Sequence, residues 1–268
     1  MIRCDIPKTI PIKKIVRETP HVKTFVFEHT LNSQPGQFVN LWIPRVDEKP
    51  MSIAYDGGNE FWVTMFAVGP FSSLMHTLKE GDLVGVRGPY GKGFEYQKGQ
   101  RLVMMAGGYG AAPLYNLTMK AVKDGCTVDF VVGARSEEHL LYLEHVGKLA
   151  NVKLHVTTDD GSKGKKGYNT LILEELLKDG SKIDCVYSCG PEMMQKRISD
   201  MCFEAGVDAQ VSIERYMKCG FGVCGQCCVD DKGLRMCMEG PVVHNKRARE
   251  IVEFGKYHRD KIGKMHKF

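Results

Sequence analysis

Five of the chain's ten cysteines stand between Cys219 and Cys237, in the run Cys219-Gly-Phe-Gly-Val-Cys224-Gly-Gln-Cys227-Cys228 and then Cys237. Cys219, Cys224, Cys227 and Cys237 follow the C-x4-C-x2-C…C spacing of a [2Fe–2S] site. The glycines between them allow a tight loop whose backbone N–H groups turn toward sulfur, which offsets the concentrated negative charge. Zinc is the rival chemistry, but structural zinc usually takes two C-x2-C pairs and here only Cys224 and Cys227 form one. A disulfide knot is the third reading. Cys228, next to Cys227, is a spare thiol, because neighbouring side chains in an extended loop point apart.

Three further stretches carry chemistry-bearing residues. Gly107-Gly-Tyr-Gly-Ala-Ala-Pro113 lies between an apolar run and a helical one. Glycines there let the backbone approach a pyrophosphate at a helix N-terminus, and Pro113 suits a first helical turn. Without a third glycine the run also fits a structural turn. Cys189-Gly190-Pro191 ends a later strand, where ligands of open parallel sheets bind; its thiol suits the side of a nicotinamide ring or a small apolar packing role. In Lys49-Pro50-Met51-Ser52 the lysine can neutralise a phosphate and the serine can hydrogen-bond a ring nitrogen, or the four form an ordinary loop. The polar stretch Thr158 to Gly167, which contains Asp160, is a solvated turn or a ribose- and phosphate-holding loop. The histidines show no metal-ligand spacing, and no G-x-S-x-G nucleophile motif occurs.

These groups need two kinds of scaffold. Up to about residue 99 the pattern is short and β-rich: Val22 to Phe27, Gln37 to Ile43, Phe61 to Val68 and Asp82 to Arg87 read as strands, with a hairpin signal at Gly57-Gly58-Asn59 and a short helix at Ser72 to Leu78. That is a small antiparallel barrel. From residue 100, apolar runs alternate with helical ones: strands at Arg101 to Ala106, Val128 to Val132, Val152 to Thr157 and Asp184 to Ser188, and helices at Leu114 to Lys123, Glu138 to Leu149, Leu171 to Leu177 and from Pro191 to about Gly206. Such alternation predicts a parallel sheet with helices on both faces. The expected divisions are a barrel over 1–99, a nucleotide-binding α/β unit over 100–206, a cysteine loop over 207–245 and a basic tail over 246–268.

With 268 residues the chain has room for about two domains. Its net charge of +5 gathers toward the end. No arginine-rich stripe with interleaved aromatics points to nucleic acid. The first residues lack a signal-peptide apolar core and no run suits a membrane span, so ten cysteines predict a reducing cytoplasm and metal ligation.

In their order along the chain, the motifs at 49–52, 107–113 and 189–191 resemble those of the ferredoxin–NADP reductase superfamily. The cysteine loop, followed by Glu239-Gly-Pro-Val242, is similar to that of one branch, the electron-transfer subunits of NAD-linked (type B) dihydroorotate dehydrogenases. The resemblance spans roughly residues 8 to 245, with Lys49 standing for an arginine and Phe71 for a small residue. It implies FAD held by Lys49, Pro50, Met51 and Ser52, by Phe66, Ala67 and Val68, and by Phe71, Ser72 and Ser73. NAD(P)(H) would meet Gly107, Gly108, Gly110, Ala112 and Pro113, then Arg135 and Asp160, then Cys189, Gly190 and Pro191. Ser52 and Cys189 are the implied catalytic pair, Ser52 at the flavin N5 edge and Cys189 at the nicotinamide. The implied partner is an FMN-containing catalytic subunit that oxidises dihydroorotate, two copies of each, with electrons running from FMN through the cluster and FAD to NAD⁺. Reductase subunits of a hydrogenase, a sulfite reductase or a ferredoxin:NAD(P) transhydrogenase share these modules. A zinc-stabilised nucleotide-binding module is the reading from another class.

Overall fold

The computed structural model describes residues 6–229 and 232–268. The first unit is a closed antiparallel barrel of β1 (Lys8–Arg17), β2 (Val22–Phe27), β3 (Phe38–Ile43), β4 (Asp47–Asp56), β5 (Phe61–Phe66) and β6 (Leu83–Tyr90), in the order β1-β2-β5-β4-β3-β6. Alternation drives it: along β5, Phe61, Val63 and Met65 are buried and the residues between them are not. The predicted hairpin joins β4 to β5, with Gly58 at φ +92° and its N–H held by Asp56 Oδ1 at 3.0 Å. A short helix, α1 (Pro70–Met75), begins earlier and ends earlier than the sequence suggests.

One seam of this barrel parts. β4 pairs with β5 from Ile53 to Asp56, whereas Asp47 to Ser52 pair with β3 alone. Pro50, which has no N–H, therefore sits where the strand has one free edge. Thr64, Met65 and Phe66 of β5 likewise keep β2 as their one neighbour. The Lys49–Ser52 motif is thus the interior of a strand beside an opening, not an ordinary loop.

The second unit contains β7 (Arg101–Gly107), α2 (Ala111–Lys123), β8 (Thr127–Ala134), α3 (Leu143–Gly147), β9 (Val152–Thr158), β10 (Lys165–Lys166), α4 (Thr170–Lys178), β11 (Cys185–Cys189), α5 (Glu192–Glu204) and β12 (Ala209–Ser212). Later come β13 (Cys228–Val229), β14 (Leu234–Arg235), β15 (Val242–His244), α6 (Asn245–Glu250), β16 (Tyr257–Arg259) and β17 (Met265–Lys267). The sheet runs β10-β9-β8-β7-β11-β12-β15, parallel except for the last strand. Residues Leu102 to Ala106 of β7 are fully buried, as a strand covered on both faces must be. Leu114 and Leu117 of α2 pack with Val146 of α3 on one face, and Leu173 of α4 with Ile198 of α5 on the other. β12 and β15 go beyond the sequence reading, which ran from the helix after Pro191 straight into the cysteine loop.

One expectation needs correction. The helix read over Glu138 to Leu149 is broken into a 3₁₀ turn at Glu137–His139 and the short α3. Tyr142, between them, takes φ +65° so that its hydroxyl reaches Thr64 of the barrel at 2.7 Å. Its ring meets those of Tyr115 and His145 at 4.9 and 5.1 Å. This tertiary anchor outweighs the helical period. The basic segment from 246 is packed at its start: Ile251 and Phe254 are buried with Val211 and Met236, and Arg249 lies 4.0 Å over the Phe203 ring. Among the described residues no helix is long and apolar enough to cross a membrane.

Tyr142 thus joins barrel to sheet. Tyr142→Phe, which removes its bond to Thr64, is expected to cost about 1 kcal/mol and Tyr142→Ala about 3–5 kcal/mol, read from urea unfolding midpoints at an unchanged slope.

Candidate functional site

A cavity of about 550 Å³ opens at the parted seam. Its barrel wall is the unpaired stretch of both strands, Asp47 and Lys49 to Ser52 from β4 and Thr64 to Phe66 from β5, with Val68, Phe71 and Ser72 beyond. Tyr109, Gly110, Ala112, Pro113 and Cys189 form the sheet-side wall, and Ser212 to Met217, running on from the end of β12, add to it. The seam, the turn before α2 and the carboxyl end of β11 therefore converge, as the rule for ligands of open α/β sheets requires.

Lys49 is the barrel wall's cation. Its Nζ lies 2.7 Å from Asp47 Oδ2 and 3.1 Å from the Tyr216 hydroxyl, and 5.0 Å from the centre of that ring. Burial lowers its pKa, but Asp47 and Tyr216 more than reverse that, so the charge is secure. Ser52 is exposed on the wall. Phe71 is buried in the barrel core as well as lining the cavity. Ser72 Oγ accepts the N–H groups of Val68 and Gly69 at 2.9 and 3.0 Å. Ala67, whose N–H is bonded to the His21 carbonyl, and Ser73 lie outside the cavity lining.

On the sheet side the glycines are demanded by packing. A Cβ on Gly110 would stand 2.1 Å from the Cys189 carbonyl oxygen, and one on Gly190 2.8 Å from the Gly107 Cα. A Cβ on Gly107 would strike Pro191 at 2.6 Å. The two turns press together because β7 and β11 are neighbours, so packing by itself requires glycine at these three; Gly108, at φ +52°, faces open space. Cys189 is buried, and burial, then the charge of Glu214, holds its thiol protonated. It offers a neutral, polarisable surface, not a nucleophile. Arg135 and Asp160 follow β8 and β9, joined by a 3.2 Å backbone bond, and neither lines the cavity.

The sequence reading missed Tyr109, Glu214 and Tyr216. Glu214 carries the charge that, with burial, raises the Tyr109 phenol to about 12. Its own carboxyl is raised to about 7, by lost hydration and then by the charge of Glu192, against the pull of Arg215. Because Glu214 is exposed on the cavity wall, water screens part of that effect. The available signal was a charged, aromatic linker, Glu214-Arg215-Tyr216, directly before the cysteine loop.

The loop itself docks on the barrel. Asn40 Nδ2 donates to the Lys218 carbonyl at 3.0 Å, Arg87 lies 5.4 Å from the Phe221 ring, and Gly220 is pressed against Tyr90. The nine described cysteines are free thiols, and those of the loop meet in pairs: Cys219 with Cys224, and Cys227 with Cys237. Burial raises the Cys219 thiol, but the N–H groups of Cys224, Phe221 and Val223 pull it down to about 7. A hydrogen bond from Cys237, then backbone N–H groups, bring Cys227 to about 6, while Cys237, the proton donor of that pair, is raised. Cys228, opposite Arg235 in the β13–β14 ladder, joins neither pair. Among the described residues no three His, Cys, Asp or Glu side chains converge as a single metal ion needs. Two thiol pairs, each supplied with N–H donors, fit the two irons of a [2Fe–2S] cluster.

Comparison with known proteins agrees with this geometry. Residues 104–200 match the family described as oxidoreductase NAD-binding domain, and residues 214–248 that described as iron-sulfur cluster binding domain of dihydroorotate dehydrogenase B. The chain is 46% identical to a protein of Methanocaldococcus jannaschii, over 96% of this chain and 97% of that protein. It is 43% identical to one of Methanothermobacter thermautotrophicus, over 97% of each. Both are named "Probable dihydroorotate dehydrogenase B (NAD(+)), electron transfer subunit". Among solved structures, a chain of an NADH-dependent reduced ferredoxin-NADP oxidoreductase aligns with a TM-score of 0.82 at 28% identity, over 91% of this chain and 92% of that one. The FAD/NAD-binding domain of a Vibrio cholerae nitric oxide dioxygenase shares the fold, with a TM-score of 0.67 at 20% identity over 76% of this chain and 98% of that one.

Two outcomes test the geometry. Gly110→Ala, forced against Cys189, is expected to destabilise by about 1–3 kcal/mol and lower the melting temperature by several degrees. The folded chain keeps the Glu214 proton to about pH 7, whereas the unfolded chain releases it near 4.5. This carboxyl's contribution to stability is therefore full below 4.5 and falls as pH rises through 7. Glu214→Gln should melt with wild type at pH 4.5 and above it at pH 8, by up to about 1 kcal/mol once cavity water is allowed for.

Proposed function

The chain belongs to the family of dihydroorotate dehydrogenase B electron transfer subunits, and on that footing we propose that it carries electrons from a catalytic partner to NAD⁺ through its own iron–sulfur and flavin sites. The observation that supports this best is covalent. Met217 lines the cavity and Cys219 opens the cysteine loop, so about 7 Å of chain at most separates their Cα atoms. A cofactor in the cavity and one in the loop are neighbours by construction.

In this reading residues 1–99 and 100–206 form the flavin and nucleotide units, 207–245 the cluster loop and 246–268 a C-terminal segment. FAD is held by Lys49, Pro50, Met51 and Ser52 with Phe66, Val68, Phe71 and Ser72, and the flanking Ala67 and Ser73 support that wall. When bound, FAD links the two-electron chemistry of nicotinamide to the one-electron chemistry of a [2Fe–2S] cluster. Ser52 supplies a hydroxyl to the ring edge. Cys189, kept neutral, gives the nicotinamide a flat contact without competing as a nucleophile. Gly108 leaves room for the dinucleotide beside the turns that Gly110, Gly190 and Pro191 pack together, and its ribose end lies toward Arg135 and Asp160. Cys219, Cys224, Cys227 and Cys237 hold the cluster, and their N–H donors keep the thiolates ionised.

The partner is an FMN-containing catalytic subunit, two copies of each, working in the cytoplasm. The likeness to a chain of the NADH-dependent reduced ferredoxin-NADP oxidoreductase supports a second reading, in which another redox enzyme is the partner.

Anaerobically purified protein is expected to contain flavin and two irons per chain, and NADH should bleach its flavin absorbance. Cys224→Ser should lose the iron and the cluster's visible bands, and Cys228→Ser should keep both. A colourless protein with zinc and no iron overturns the proposal; copurification with an enzyme other than an FMN dehydrogenase moves it to the second reading.

A further inference from the structure

The seam cavity has a cation besides Lys49, and it comes from the far end of the chain. Lys49 is matched at 2.7 Å by Asp47, so the two together are close to neutral and offer a dianion little net attraction. The N–H groups of Val68 and Gly69 are taken by Ser72. Arg215 belongs to the wall, but its guanidinium is neutralised by its pair with Glu192 at 2.5 Å, and Glu214 supplies no positive charge. What remains on the wall is Lys261, which has no ion pair among the described residues. Its field reaches this spot: burial pushes the Asp47 carboxyl up, and Lys49 and the Glu48 N–H, with Lys261 adding a smaller part at longer range, more than reverse it.

Lys261 is also held in place. It lies on the turn between β16 and β17, where Asp260 Oδ1 accepts the N–H groups of Ile262 and Lys264, both at 3.0 Å. Asp260 Oδ2 meets His266 Nε2 at 3.0 Å, and Gly263 closes the turn at φ +83°. Gln226, inside the cysteine loop, donates to the Asp260 carbonyl at 3.4 Å. Arg259 of β16 reaches Glu253, which pairs with Arg215. A surface lysine on a loose tail would have none of these ties.

We infer that Lys261 is a binding residue for the diphosphate of FAD, supplying the net positive charge that the Lys49–Asp47 pair lacks, so that the C-terminal hairpin is part of the flavin site. This rests on the reading of the cavity as the FAD site. The test uses the full-length holoprotein, diluted while flavin fluorescence reports FAD release, with the cluster's visible circular dichroism confirming the fold. Lys261→Gln should release FAD about three- to tenfold faster at low salt, and the difference should shrink toward 0.5 M KCl. Lys261→Arg should stay within about twofold of wild type, and Lys264→Gln, on the same turn but outside the cavity lining, should match it. Release from Lys261→Gln at the wild-type rate, or equal acceleration in Lys264→Gln, overturns the inference. Wild-type protein that purifies with its cluster but without flavin overturns the FAD reading itself, and the inference with it.

Discussion

Arg215 holds the working parts of this chain in one arrangement. Its side chain is 3% exposed, and its guanidinium meets both oxygens of Glu192, at 2.5 and 3.1 Å. On its other side lies Glu253, 3.4 Å from Nε. Glu192 opens α5 directly after the Cys189-Gly-Pro turn, and its Oε1 also accepts the N–H of Gly255 at 2.9 Å. One cation thus joins the nucleotide-side turn, the linker to the cysteine loop and the C-terminal segment. Losing one partner of such a buried pair typically costs about 3–5 kcal/mol, because the other charge is left unmatched. Its neighbours Glu214 and Tyr216 face the cavity, so the ion pair also sets the wall on which those two stand.

The second organising constraint is the parted seam. A fully zipped barrel would present a pleated wall with every backbone group paired and no space for a ligand between β4 and β5. Here the register ends at Ile53, and the stretch that loses its partner carries Lys49, Pro50 and Ser52. The turns before α2 and after β11 fill the other side at such close range that three glycines are compulsory. Rigid backbone therefore surrounds a cavity whose chemistry rests on a few side chains, an arrangement that fixes distances without moving parts.

Much of this was legible in the sequence, and what was not has identifiable causes. Strand alternation in Phe61 to Phe66 and the unbroken apolar run Leu102 to Ala106 report faces that are buried locally. The cysteine spacing reports covalent chemistry. Tyr142 was illegible because its conformation answers to Thr64, 78 residues away in sequence. β12 is four residues long, too short to show a period, and β15 is three. The roles of Gly107, Gly110 and Gly190 depended on two turns meeting, which neither turn reveals alone. Glu214, Arg215 and Tyr216 lie within the stretch read only as the cysteine loop, because their partners come from α5, β4 and the C-terminal segment.

The free edge of β4 has a bearing on solubility. An unpaired strand edge is a template for hydrogen bonding to another chain, and folded proteins commonly blunt such edges with proline and lysine. Pro50 withholds an amide and Lys49 places a charge beside it, so the opening that admits a ligand is closed to edge-to-edge association. The same two residues act as gatekeepers against aggregation while the chain is newly made and its cofactors have not yet arrived.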